Sequence, residues 1–184
     1  MKMRVQMSKK IIILSSQLPQ QGKDTVGQIL IEKHGYNRIA FADRVKEVAV
    51  ECFGWDGIKD DKGRQLLIDI GTHTARKYNK NIWIDYVAKK IAESKEDKFV
   101  ITDCRFINEY ERIKENPYLT ADVNVLSIGI TSDIRGDKKY LLDDSQKEFS
   151  KIHKDFLITN NGTLQELKDT IVSIMLFHAG GVYA

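Results

Sequence analysis

No apolar segment in this chain of 184 residues is long enough to cross a membrane, and the run Ile11-Ile12-Ile13-Leu14 behind Lys9 and Lys10 is too short for the core of a signal peptide. Cysteine is nearly missing. Cys52 and Cys104 form neither a CxxC pair nor a disulfide framework, which points to a reducing compartment, the cytoplasm, and to two structural thiols. An excess of one charge is also lacking: 29 Lys+Arg stand against 26 Asp+Glu, and no dense basic block occurs. That excludes an extended surface for polymeric nucleic acid and favours a modestly basic pocket for small phosphorylated molecules. The four histidines are scattered without metal-ligand spacing, there is no G-x-S-x-G elbow, and neither cysteine has a catalytic partner in view. Asn79-Lys80-Asn81-Ile82 lacks the aspartate of the guanine-reading Asn-Lys-x-Asp, which argues against a GTPase. With no repeat, low-complexity tract or linker, the length suits one domain carrying a small lid.

The stretch that is most informative covers residues 10–30. An apolar run breaks into a polar loop, the loop ends in Gly22-Lys23-Asp24-Thr25, and Val26, Ile29 and Leu30 then recur at helical spacing. Strand, loop, helix in that order makes a phosphate cradle: Gly22 lets backbone approach a ligand, the free N–H groups of a new helix attract an anion, and Lys23 adds a mobile positive charge. The pattern departs twice from G-x-x-x-x-G-K-[ST], since Gln17 stands at the first glycine position and Asp24 separates Lys23 from Thr25. The plain alternative is a strand and helix with Lys23 merely solvated.

Further along, residues 38–42, 99–102, 123–130 and 156–159 read as short buried strands, alternating with helical patterns. Asp43 can cap the second helix, Asp60 or Asp61 the third, and Thr163 with Glu166 forms a capping box for the last; Ser145 with Glu148 matches another. The alternation predicts an α/β three-layer fold: a five-stranded parallel sheet with helices on both faces, and a lid over about residues 131–148. The apolar end of the last helix, residues 171–177, would serve a homodimer as readily as the core.

Phosphoryl transfer needs donor and acceptor positioned, Mg²⁺ bound and charge neutralised. Lys23 would bridge the donor phosphates, with Asp24 and Thr25 near the metal. Asp103, at the carboxyl end of the third strand, would hold Mg²⁺ through water or orient the acceptor, or else simply cap a helix. Arg44, Arg64, Arg76 and Arg105 lie where helix starts, faces or strand ends can meet a cleft, although each could equally be a surface arginine. Arg135, Lys138 and Lys139 would form the closing part of the lid, or a solvated loop. Trp83, Tyr86 and Phe41 could stack on a base or belong to the core.

Taken in order, Gly22-Lys23-Asp24-Thr25, residues 38–47, Gly63-Arg64-Gln65-Leu66-Leu67 with Ile70-Gly71-Thr72 and Arg76, Ile82-Trp83, Thr102-Asp103-Cys104-Arg105-Phe106 with Asn108-Glu109, Asp144-Ser145 with Glu148, and residues 158–162 resemble the deoxynucleoside monophosphate kinases of tailed bacteriophages. The resemblance implies a P-loop kinase fold and phosphorylation of a deoxynucleoside monophosphate by ATP with Mg²⁺. It would set Gly22, Lys23, Asp24 and Thr25 on the ATP phosphates, and Asp43, Arg44, Lys46, Arg64, Arg76, Asp103 and Arg105 on the monophosphate, with Trp83 a candidate for the base. Arg135 would join Lys23, Asp103 and Arg105 in catalysis from the lid, and Asp24, Thr25 and Asp103 would serve the metal. The interrupting Asp24 is a trait of related nucleotide kinases, whereas Gln17, and Gly129 where relatives often have arginine, are departures. Phosphomevalonate kinases of animals share the Gly-Lys-Asp loop and the Asp-x-Arg strand end, so another phosphorylated acceptor stays open. So does a nucleotide-binding protein that acts by interaction alone.

Overall fold

The computed structural model describes residues 8–119, 123–137 and 144–179, the side chains of 144–146 excepted. The element order is β1 (Lys9–Ser16), α1 (Lys23–His34), β2 (Asn37–Ile39), α2 (Phe41–Phe53), α3 (Asp61–Ile68), a π-helical stretch (Asp69–Arg76), α4 (Ile82–Glu93), β3 (Lys98–Ile101), α5 (Ile107–Lys114), β4 (Val123–Thr131), α6 (Asp144–Phe149), β5 (Phe156–Thr159) and α7 (Leu164–His178). The strands make one sheet in the order β2-β3-β1-β4-β5, and every pairing in it is parallel.

β1 is apolar without alternation because both of its faces are covered. Ile11 and Ile13 pack with Val45, Trp83, Ile84, Val87 and Ile113 on one side of the sheet, beneath α2, α4 and α5. Ile12 and Leu14 pack with Val26, Leu30, Leu167 and Ile171 on the other, beneath α1 and α7. The central strand thus welds two cores into three layers. Ile171 and Ile174 belong to the second core, while Leu176 and Phe177 stay exposed, Phe177 edge-on to Phe156 with ring centroids 5.8 Å apart. Among the described residues no helix is long and apolar enough to cross a membrane.

Two local expectations are corrected. Residues 38–42 do not form one strand: pairing with β3 ends at Ile39, and Phe41 and Ala42 begin α2. The cap of α2 is not Asp43 either. The carboxylate of Asp103 reaches across from the end of β3 and accepts the N–H groups of Phe41 and Ala42, both at 2.9 Å. A cap supplied 61 residues away leaves no local sequence signal. The cap from Asp60 to Gly63 N (2.7 Å) and the Thr163–Glu166 box (Thr163 N to Glu166 Oε2, 2.6 Å) form as expected, being local.

Candidate active site

β1 and β3 lie side by side at the centre of the sheet, so the segments that leave their carboxyl ends share one crevice. From β1 comes the loop into α1. Gln21 braces it from inside: buried, it accepts Leu18 N through Oε1 at 2.7 Å and donates through Nε2 to Ser132 O at 3.1 Å. Asn160, just past β5, donates to Gln21 O at 2.9 Å. Gly22 then turns the chain at φ 103°, in the left-handed region, and a Cβ there would collide with Asn160 Nδ2. Both facts demand glycine.

Gly22 opens α1 with no side chain bonded to the helix start. The first helical bond runs from Val26 N to Gly22 O (3.0 Å), so the N–H groups of Lys23, Asp24 and Thr25 face outward at the positive end of the helix. The Lys23 ammonium bonds to Asp24 Oδ1 at 2.8 Å and to Thr102 O at the end of β3. It therefore links the start of α1 to the carboxyl end of β3. The Asp24 side chain is 93% exposed and Thr25 is exposed, so Asp24 Oδ2 and the Thr25 hydroxyl can meet a ligand. Gln17, at the position of the absent glycine, is exposed and contributes its backbone N–H to Ile130 O at 3.2 Å. The glutamine that holds the loop is Gln21, which sequence reading missed.

Arg135 lies across the β5–α7 turn, its guanidinium donating to Asn160 O and to Gly162 O (2.8 Å) and its backbone N to Ser132 Oγ (3.0 Å). Of the expected lid, 131–137 and α6 are described; Lys138 and Lys139 fall outside the described residues. Gly129 has no arginine, and the methylenes of Lys154 cross the space its Cβ would fill, carrying the ammonium to Ile152 O (2.6 Å) and Phe149 O. Burial pushes the Lys154 pKa down.

From β3 comes the turn 102–106. Asp103 is half-buried, and each of its oxygens accepts one backbone N–H, leaving lone pairs for a water or a metal-bound water. Arg38, missed in the sequence, pairs with Asp43 through two bonds of 2.9 and 3.2 Å; that bond, and the fields of Asp43, Asp103 and Asp24, hold it protonated. Lys23, Asp24, Asp43 and Asp103 are thereby brought to one place. Lys46 reaches Asp43 at 3.6 Å. Arg44 turns to Glu47 (3.0 Å) and Glu51 (3.2 Å) and lies over the Tyr86 ring. Among the described residues the Arg64 guanidinium bonds only to Lys59 O, at 3.0 Å, and the exposed Arg105 guanidinium has no partner. Arg76 pairs with Glu109 at 2.8 Å.

Glu109 is 2% exposed and also accepts the N–H of Arg105 (2.7 Å) and of Phe106 (3.1 Å). Burial raises its pKa, against the pull of Arg76 and the two backbone donors. Trp83 does not line the crevice: it is buried in the core, its indole N–H spent on Gly71 O at 3.0 Å. Tyr86 packs at the edge of the same core. Cys104 is buried with its thiol pKa driven up, and neither cysteine is bridged.

Oxygen donors such as Asp24, Thr25 and Asp103 suit a hard ion held mainly through phosphates and water. Among the described residues no cluster of three or more His, Cys, Asp and Glu makes a self-sufficient metal cage.

No protein-family model and no curated protein matches the sequence. Solved structures do. The chain is similar to a putative kinase from Chloroflexus aurantiacus (15% identity, 95% of this chain and 98% of that one, TM-score 0.53), to a gluconokinase from Sinorhizobium meliloti (13%, 94% and 94%, 0.50) and to a dephospho-CoA kinase from Campylobacter jejuni (13%, 93% and 98%, 0.50). These likenesses extend over nearly the whole of each chain. With the strand order and the loop from β1 into α1, they show that the chain has the P-loop kinase fold: a five-stranded parallel sheet between layers of helices.

Proposed function

We propose that this protein is a phosphotransferase that moves the γ-phosphoryl group of ATP to a small phosphorylated acceptor, and that the acceptor is a deoxynucleoside monophosphate. The observation that carries the reading is the position of Lys23. Its ammonium stands between the uncapped start of α1 and the carbonyl before Asp103, where a donor phosphate on one strand end meets an acceptor on the next. The N–H groups of Lys23, Asp24 and Thr25 would bind the donor phosphates, and Arg135, anchored on Asn160 and Gly162, would close that side. Asp24 and Thr25, with Asp103 acting through water, would hold Mg²⁺, which would supply positive charge against the donor phosphates.

On the acceptor side, Asp103 orients the start of α2, so Asp43, Arg44 and Lys46 present their side chains from a fixed helix. Arg64 and Arg105 have no carboxylate partner among the described residues and are ready for a phosphate, which an arginine fork grips in two bonds. The deoxynucleotide, rather than a sugar or another phosphate ester, is supported by the ordered resemblance from Gly22 to Gly162. Coupled ADP release with ATP and dGMP, dTMP, dCMP, dAMP or 5-phosphomevalonate tests it. Turnover with one or more deoxynucleotides is expected; turnover with phosphomevalonate alone would replace the acceptor, and ADP from none would overturn the kinase reading.

A further inference from the structure

The acceptor half contains a stretch of backbone that ordinary helix formation does not explain. Residues 69–76 form a π-helix directly continuing α3, and no glycine or proline run forces it. A π turn carries one more residue than an α turn, so every later side chain is displaced by one position, about 100° around the axis. Arg76 closes this stretch. Its guanidinium meets Glu109 at 2.8 Å and lies over the Phe106 ring, 5.5 Å from its centroid. Within the stretch, Gly71 is buried, with Val45 so close that a Cβ would stand 3.3 Å from it, and Gly71 O receives the indole N–H of Trp83 at 3.0 Å.

Resting on the kinase reading, we infer that Trp83 and Glu109 are positioning residues for the acceptor phosphate. Trp83 fixes the π-helical register through Gly71 O, that register delivers Arg76 to Glu109, and Glu109 locks the turn from which Arg105 projects. Three observations join in one chain of contacts. Trp83 is buried and fixed by a single directional bond, Arg76 is 27% exposed and so keeps an edge toward solvent, and Glu109 spends one oxygen on Arg76 and the other on the backbone of Arg105 and Phe106. Arg76 and Arg105 are thus set relative to each other by one buried carboxylate. Neither Trp83 nor Glu109 touches the acceptor; both act on it through the two arginines.

The test uses Trp83→Phe, which keeps a ring and deletes the donor, and Glu109→Gln, which keeps the shape and deletes the charge. Both are assayed with the deoxynucleotide that the wild type turns over. The expected result is a rise of about tenfold or more in the KM for the acceptor, with the KM for ATP changed less than about threefold. Acceptor KM unchanged in both variants, or acceptor and ATP KM rising together, overturns the inference. Should Trp83→Phe fail to fold, Glu109→Gln decides by the same KM split. If the wild type turns over no acceptor, the kinase reading fails by itself, and a crystal structure of Trp83→Phe then judges the positioning claim: residues 69–76 relaxing to α-helix with Arg76 drawn away from Glu109 supports it, and an unchanged Arg76–Glu109 bond overturns it.

Discussion

The two halves of the crevice are built by opposite means. Around the phosphate loop, the groups facing a ligand are backbone N–H groups at an uncapped helix start, set by Gly22 and braced from behind by Gln21 and Asn160. Around the β3 turn they are side chains, and most of the cations already hold a carboxylate: Arg38 with Asp43, Arg44 with Glu47 and Glu51, Arg76 with Glu109. On the kinase reading, the donor side is then a backbone cradle braced from behind, whereas the acceptor side is a charge network in which a phosphate must compete with, or add to, existing pairs. Backbone cradles read any polyphosphate; a side-chain network can be tuned to one acceptor. That division suits an enzyme whose donor is common and whose acceptor is particular.

Variants can break each half separately. Lys23→Ala, in the cradle, is expected to lower kcat by about 10²-fold or more while thermal unfolding moves little, since among the described residues the ammonium is bound only to the exposed Asp24 and one carbonyl. Arg76→Ala, in the network, strands a buried carboxylate and should cost about 3 kcal/mol in denaturant unfolding at neutral pH. Its pH dependence follows from Glu109, whose folded pKa lies above the ordinary carboxylate value because of burial. The folded state then binds the proton more tightly than the unfolded state, so stability is greatest below the unfolded pKa and falls as pH rises through the folded one. Removing Arg76 takes away the main opposing pull and enlarges that fall, so lowering the pH from about 7.5 to about 5.5 should restore part of the loss in the variant and little in the wild type.

Smaller effects sharpen the contrast. Gly22→Ala meets both positive φ and Asn160, and should cost about 1–3 kcal/mol while raising the KM for ATP more than that for the acceptor. Thr163→Ala removes a cap remote from both halves, costing about 1 kcal/mol with kinetics unchanged. Gln17→Gly should change stability by at most about 1 kcal/mol and leave turnover largely intact, because the exposed side chain has no hydrogen-bond partner among the described residues.

The same contrast explains what the sequence revealed. The cradle is contiguous, so Gly22, Lys23, Asp24 and Thr25 announce themselves by spacing, as do the apolar strands and the local caps at Asp60 and Thr163. The network is assembled from β2, α2, the π-helix and the β3 turn, and the links that tie those elements together are distant along the chain: Arg76 with Glu109, Asp103 with Phe41 and Ala42. Hence Asp103 could be placed at a strand end but not seen to cap α2, Arg38 and Glu109 went without a role, and the π-helix left no periodic trace. Trp83 looked like a base-stacking candidate because an aromatic at helical spacing does not show which face the sheet will cover; the structure puts it in the core with its N–H on Gly71.

Direct observation of the transferred group tests the account most sharply. Phosphorus NMR of the protein with ATP, Mg²⁺ and one or more of the deoxynucleoside monophosphates should show ADP and a deoxynucleoside diphosphate growing in equal amounts, and both should grow slower by about 10²-fold or more when Lys23→Ala replaces the wild type. Spectra in which ATP and every monophosphate stay unchanged, or in which ADP appears only with inorganic phosphate, would contradict it.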